Sequence, residues 1–408
     1  MSLAAALRAP PIRLLWLGQV LSAVGDQFYL VAVLWLALDL VGHDAGFISA
    51  VNAAAVFGVA LTAGAWADRW DARRTMFWVD IARGVLVLLL PIFAWTGTLT
   101  LWTLLPVTLA VAGLTGLFDP ALQATLPRLA LDRRMLYGTN ALFDSTTRFA
   151  RIFGPGLIGA ANAVVPLLQF FTIDALTFFG SAAAVAVMRK YVPSEPAAPQ
   201  EAARGWAALT GGFRELRAHP LLIYSFTTGV IVNMAWALGF TMGMALLLRT
   251  TMPEALSAFG WFISAYGVGN VISNFIIAAR PPKRPHEPIA FSRLLFGAGL
   301  MAMPFAPNLP VLMAIAALTA TNGPLGDLAL THQLQTRFGP HKVARMVRVR
   351  FCFGYSGVFF GYLLAPALYD LLPVRTVIVG CGVACAVAGA TGLIVLKRRH
   401  SGALRRAG

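Results

Sequence analysis

Apolar runs of about 20 residues recur along almost the whole chain, and a helix of that length is what crosses the hydrocarbon core of a bilayer. They fall at 14–40, 45–67, 75–96, 101–126, 139–163, 166–189, 220–249, 256–279, 289–306, 309–330, 347–371 and 374–396. Inside lipid every backbone N–H and C=O must be paired within the spanning element, so runs of this length predict helices rather than open strands. The expectation is an all-α integral membrane protein with twelve transmembrane helices. Only 12% of the 408 residues are charged and 58% are hydrophobic, against about 25% charged in a soluble domain. Pro304, Pro307 and Pro310 crowd the junction of the ninth and tenth runs, where the boundary is least sharply drawn.

A formal net charge of +15 would point to nucleic acid in a soluble protein, so the placement of the charge decides its meaning. Of the 32 basic residues, 27 lie in the tails or in alternate loops, from Arg8 and Arg13 through Arg280, Lys283, Arg284 and Arg293 to Arg405 and Arg406. Basic residues concentrate in cytoplasmic loops, which places both termini in the cytoplasm and requires an even number of crossings. Anionic lipid at the inner face accounts for the rest of the positive charge, and nucleic acid is not an expected partner. The first run is too long for a secretory signal and lacks a small-residue cleavage site, so it reads as a membrane span. Cys352, Cys381 and Cys385 are an odd number without a CxxC, which implies neither a disulfide framework nor a metal site.

Six runs precede the longest loop and six follow it. The expected organisation is a six-helix bundle over 1–190, a cytoplasmic linker over 191–218, and a second six-helix bundle over 219–408. Within the linker, Trp206, Leu209, Phe213 and Leu216 recur at helical spacing with Arg204, Arg214 and Arg217 between them, the pattern of a short amphipathic helix on the inner lipid surface.

Between the second and third runs stands the compact charged turn "GAWADRWDARR". It resembles the signature loop of the major facilitator superfamily, with Asp71 and Ala72 where a single glycine is usual. That form is similar to the enterobactin-exporter and macrolide-efflux branch. "LWLGQVLSAVGDQF", "FDPALQATLPRLA" and "TNALFDSTTRFARIFGPGLIGA" carry the resemblance through the first half, and "HQLQTRFGPHKVARMVRVR" extends it into the second. The resemblance implies the major facilitator fold and a gating loop of Gly64, Asp68, Arg69, Arg73 and Arg74, which would latch the bundles in one state. Gly64 suits a close helix approach and Asp68 a helix end or an arginine, while Arg73 and Arg74 serve equally well as topological charges. "RIFGPGLIGA" resembles the antiporter motif of drug exporters, with Gly154, Pro155, Gly156 and Gly159 allowing a bend and close packing in the fifth run.

Charges within the runs need reasons, since inserting one at the bilayer centre costs on the order of 2.5–3.5 kcal/mol. Asp80, Arg83, Asp119, Asp144, Arg148 and Asp327 lie near cytoplasmic ends and Asp174 nearer the outer side, where water or ion pairing suffices. Asp80 with Arg83 and Asp144 with Arg148 have the i,i+3 and i,i+4 spacing of helical pairs. Asp26 sits about midway through the first run, the depth at which secondary transporters couple ions to substrate. A carboxylate there can load and release a proton, and Arg151 in the fifth run is the expected partner for it or for an anionic substrate group. The alternative is a fixed Asp26 to Arg151 structural pair. Gln27, Asn233 and Trp236 are the expected contributions to a substrate cavity.

No HExxH, P-loop or GxSxG is present, so neither enzyme chemistry nor ATP-driven transport is expected within the chain. The composite expectation is a secondary active transporter of a bacterial inner (plasma) membrane. It exports a small drug-like compound or siderophore by proton antiport with alternating access, as a monomer and without cofactor or metal. Lysophospholipid or nutrient transport, and a transporter-shaped receptor or assembly partner, are the competing readings.

Overall fold

The computed structural model describes residues 7–67, 71–129, 133–162, 164–189, 213–279, 286–338 and 340–407, with most of their side chains. Among these residues the regular structure is helical, and the chain divides into two compact units, Met1–Gly205 and Trp206–Gly408.

The first unit contains α1 (Pro10–Val41), α2 (Ala45–Ala67), α3 (Ala72–Trp95), α4 (Leu101–Leu129), α5 (Arg133–Ala161) and α6 (Leu167–Met188). Pro10 opens α1 where its missing N–H costs nothing. Gly42 closes it at φ 58°, sending its N–H back to the Leu38 carbonyl, a conformation that suits a residue without Cβ. A short 3-10 turn, Gly42–Asp44, then feeds α2. Asp71, the extra residue of the charged turn, is the N-cap of α3 and accepts the Arg74 N–H at 3.0 Å. Both α1 and α3 pack along α6, α4 receives α2 and α3, and α5 lies against α1. Small residues set these distances: a Cβ on Gly18 would lie 3.1 Å from that of Ala184 on α6, and one on Gly84 would lie 2.7 Å from the Phe179 ring.

The second unit runs α7 (Pro220–Ala235), a π-helical segment (Trp236–Gly243), α8 (Met244–Thr251), α9 (Ala255–Ala279), α10 (His286–Ala302), α11 (Leu309–Thr319), α12 (Asn322–Arg337), α13 (Pro340–Leu371) and α14 (Val374–Ala407). The π segment widens the helical turn and disturbs its carbonyl ladder, and Tyr369 of α13 donates its hydroxyl to the Leu238 carbonyl there. The expected tenth span is two helices, parted at Ala320 and Thr321. Pro324 has no N–H to return to the Ala320 carbonyl, which instead accepts the Asn270 side-chain amide at 3.3 Å. In α10 and α14 the backbones nearly touch, since a Cβ on Gly297 would lie 2.5 Å from the Gly382 carbonyl oxygen.

Ten helical stretches among the described residues are long and apolar enough to cross a membrane. The first, Pro10–Val59, runs through two of the expected spans, and α5 is not among the ten. Its sequence explains why: Asp144, Arg148 and Arg151 interrupt the apolar run that predicted a fifth span.

Two further expectations need correction. Leu216 of the linker is buried in the core of the second unit with Leu222, Phe226, Ile289 and Leu334, rather than laid on lipid. Phe213 beside it meets the Phe353 ring at 5.9 Å; Trp206 and Leu209 lie outside the described residues. Arg293, counted as a loop cation, is a buried residue of α10. Its guanidinium donates to Thr228 Oγ1, to Ser292 Oγ and to the carbonyls of Ile289 and Ser225.

The glycine contacts give a stability test. A Cβ on Gly269 of α9 would lie 2.0 Å from the Ala317 carbonyl oxygen of α11, whereas one on Gly229 of α7 would meet nothing within 4 Å. Gly269→Ala is expected to destabilise the protein by about 1–3 kcal/mol and Gly229→Ala to leave it unchanged or slightly firmer, as read by thermal unfolding in detergent.

Candidate functional site

Three helices of the first unit bring their charged residues together. Arg83 on α3 is 3% exposed, and its guanidinium spans two carboxylates. Nη2 donates to Asp26 Oδ1 of α1 at 3.0 Å, and Nη1 reaches Asp80 Oδ1, one turn earlier on α3, at 3.4 Å. The guanidinium lies over the Phe178 ring of α6, 4.0 Å from its centroid, and 5.6 Å from that of Phe118 on α4. An aromatic face is a good neighbour for a weakly hydrated planar cation that has been removed from water.

The members differ in access. Asp80 is wholly buried, while the Asp26 side chain is 37% exposed. One side of the ion pair is therefore sealed and the other open. Directly behind Asp26, Gly25 lets α6 come close: a Cβ there would lie 2.1 Å from Thr177 Oγ1 and 2.6 Å from Asp174 Oδ1. Asp174 is thereby pressed against α1 beside Asp26 and is itself fully buried. Tyr29, one turn further along α1, meets the Phe171 ring at 6.0 Å, and its buried hydroxyl has no hydrogen-bond partner among the described residues.

The sequence singled out Asp26 and spaced Asp80 with Arg83 as a pair, and the 3.4 Å contact shows that pair. It did not connect Arg83 to Asp26, because that contact depends on how α1 and α3 pack. Arg151, the partner expected for Asp26, has its side chain outside what is described, as does Pro155. Asp174 was expected to have water or an ion pair and has neither: it is 0% exposed and makes no salt bridge among the described residues.

Gln27 and Gly154 do meet. A Cβ on Gly154 would lie 2.5 Å from Cβ and Cγ of Gln27, so the glycine of α5 is what lets α1 lie against it. Gly156 and Gly159 are buried on the same helix, and α5 continues through position 155 without interruption. Of the charged turn, Asp68 and Arg69 fall outside the described residues, and Gly64 is helical near the end of α2. Arg74 is exposed, and Arg73 is half-buried with its Nε unpartnered.

In the second unit Asn233 donates to the Gly229 carbonyl at 2.8 Å and faces Gly357 of α13, whose Cβ would lie 2.9 Å from its own. Trp236 opens the π segment and stacks on Phe240 with centroids 4.3 Å apart. Tyr266 and Phe296 complete an aromatic cluster around it at 5.0 and 6.2 Å. Nothing in the sequence marked the π segment, since its residues are as apolar as those of any span.

Comparisons with known proteins agree on the class of molecule. The profile of a family described as transmembrane secretion effector matches residues 1–395. The multidrug efflux pump Tap of Mycobacterium tuberculosis (strain ATCC 25618 / H37Rv) is 26% identical over 377 residues, covering 88% of this chain and 87% of Tap. The uncharacterized MFS-type transporter YfiS of Bacillus subtilis (strain 168) is 26% identical over 308 residues, covering 74% of this chain and 71% of YfiS. Among solved structures, the peptide transporter POT in complex with sulfate superposes with a TM-score of 0.74 at 13% identity, over 95% of this chain and 94% of that one. At that identity the likeness is one of fold.

Removing one member of a buried charge cluster strands the others. Arg83→Leu is expected to cost about 3–5 kcal/mol, and adding Asp80→Asn to it should recover part of the loss, measured by thermal unfolding of the purified protein in detergent.

Proposed function

We propose that this chain, which belongs to the transmembrane secretion effector family, exports a drug-like small molecule by proton antiport with alternating access. The protein is a membrane transporter of the major facilitator type and not an enzyme. Similarity to multidrug efflux pumps supports export and favours a drug-like compound over a siderophore. The proposed topology is twelve spans, with α5 and the two halves of Pro10–Val59 among them. Both termini lie in the cytoplasm of a bacterial inner membrane, and the units form the two bundles around residues 1–190 and 219–408.

The observation that carries the mechanism is the Arg83 to Asp26 ion pair, sealed at the arginine and 37% exposed at the aspartate. An exposed carboxylate tied to a buried cation is able to exchange with the outside while reporting to the inside. A proton on Asp26 removes its charge and weakens a charge-assisted bond, leaving Arg83 to Asp80. A cationic substrate group competes with that proton for the same carboxylate, and such competition is what antiport requires. Binding of proton and of substrate then alternate at Asp26, and each shifts the balance between states by its differential affinity for them. The proposed gating loop of Gly64, Asp68, Arg69, Arg73 and Arg74 would stabilise one of those states. Gly154, Pro155, Gly156 and Gly159 would let α5 move against α1. Arg151 remains the proposed second cation near Asp26, and Gln27, Asn233 and Trp236 the proposed substrate contacts.

Everted vesicles with an acidified lumen, challenged with lipophilic cationic dyes, macrolides and catecholate siderophores, test this reading. Wild-type protein should accumulate at least one compound with proton release to the bath, and Asp26→Asn should fall to the level of vesicles lacking the protein. Accumulation that survives Asp26→Asn would remove that residue from the mechanism. Silence across the panel with folded protein would favour lipid handling, uptake or a receptor role.

A further inference from the structure

Asp174 is the one charged residue of α6 inside the first unit that the salt-bridge cluster leaves over. Its side chain is fully buried and its Oδ2 has no hydrogen-bond partner among the described residues. Thr177 offers its hydroxyl proton to the Asp174 backbone carbonyl at 2.7 Å and reaches Oδ1 only at 3.5 Å, so the carboxyl group has almost no donor. Among the described residues, the titratable and charged groups facing it are Asp26 and Tyr29 from α1 and Asp80 and Arg83 from α3. The Tyr29 hydroxyl, which faces Asp174 from α1, is buried and without a hydrogen-bond partner among the described residues.

Charge accounting then constrains the cluster. Among the described residues the hydrogen bonds of Arg83 to carboxylates go to Asp26 and Asp80, and none goes to Asp174. A carboxylate buried without donor or counter-ion is neutral in practice, because its desolvation exceeds what taking up a proton costs. We propose that Asp174 holds a proton and exchanges roles with Asp26, so that the two carboxyl groups share one proton and the Arg83 guanidinium between them.

In the state seen here Asp26 is ionised and bonded to Arg83 while Asp174 is the acid. In the other, the proton has left an Asp174 oxygen for an Asp26 oxygen, and Arg83 turns from α1 to the new carboxylate on α6. The total charge of the cluster is the same before and after, and the negative charge moves from the part-exposed Asp26 to the buried Asp174, so the Arg83 guanidinium has to follow it. Gly25 is essential to it, since a side chain there would separate the two carboxyl groups. The inference rests on the antiport reading for its purpose, giving the proton a route between the exposed Asp26 and the interior of the unit. Its premise, a protonated Asp174, stands apart from any substrate.

Infrared spectra of purified protein at neutral pH test that premise without a substrate. The wild type minus Asp174→Asn difference should show a carbonyl stretch of a protonated carboxyl group, and the wild type minus Asp327→Asn difference a carboxylate band. Should Asp174→Asn fail to fold, Thr177→Val, which changes the surroundings of the carboxyl group and leaves it in place, should shift the same protonated band. A carboxylate band in the Asp174 difference, or a protonated region unmoved by Thr177→Val, overturns the proposal. Failure of drug transport alone would sink the antiport reading and leave the infrared result standing.

Discussion

A guanidinium cannot be taken out of water into the middle of a helix bundle unless something answers its charge, and the first unit gathers two carboxylates and an aromatic ring around Arg83 while its Nε–H has no hydrogen-bond partner among the described residues. Asp80 comes from its own helix, Asp26 from α1, and the Phe178 ring from α6. Each partner requires its helix to come close, which explains the small residues found at the contacts. Gly18 and Gly25 on α1 and Gly84 on α3 stand where a Cβ would strike α6. The arginine is thus where three helices of the first unit, α1, α3 and α6, meet.

The second unit solves a comparable problem differently. Arg293 lies on the third membrane-length stretch of its unit and also reaches the first, at Thr228 and the Ser225 carbonyl. Its hydrogen-bond partners are hydroxyls and carbonyls, with no carboxylate bonded to it among the described residues. Neutral acceptors fix a guanidinium without offering a site that can gain or lose a proton. The second unit is set apart further by its aromatic cluster and the widened turn at Trp236–Gly243.

Much of this architecture was legible in the sequence because membrane insertion leaves few alternatives. The apolar runs marked the helices, and their lengths followed from bilayer thickness. Asp26 was conspicuous for the same reason, since a charge at that depth has to be explained. What escaped were features set by how helices pack on one another. Arg83 and Asp80 showed their i,i+3 spacing, yet the reach to Asp26 depends on the rotation of α3 against α1. Asp174 looked like an ordinary polar residue toward the end of a span, and only the approach permitted by Gly25 seals it. The extra Asp71 of the charged turn looked like a departure from a motif, and the structure gives it the work of an N-cap. The tenth run read as one span, and neither its break at Ala320 and Thr321 nor the Asn270 amide that reaches the freed carbonyl from 50 residues earlier showed in the sequence.

The claim on which the account depends is that one carboxylate, Asp26, is contested by a proton and a cationic substrate. Its most direct test is the proton balance of binding itself, with purified protein in weakly buffered detergent titrated with a lipophilic cation such as tetraphenylphosphonium at neutral to mildly acidic pH. The account predicts that binding releases protons from the wild type, and that Asp26→Asn removes the release while the protein stays folded. Binding that moves no proton, or the same release from Asp26→Asn, would contradict it.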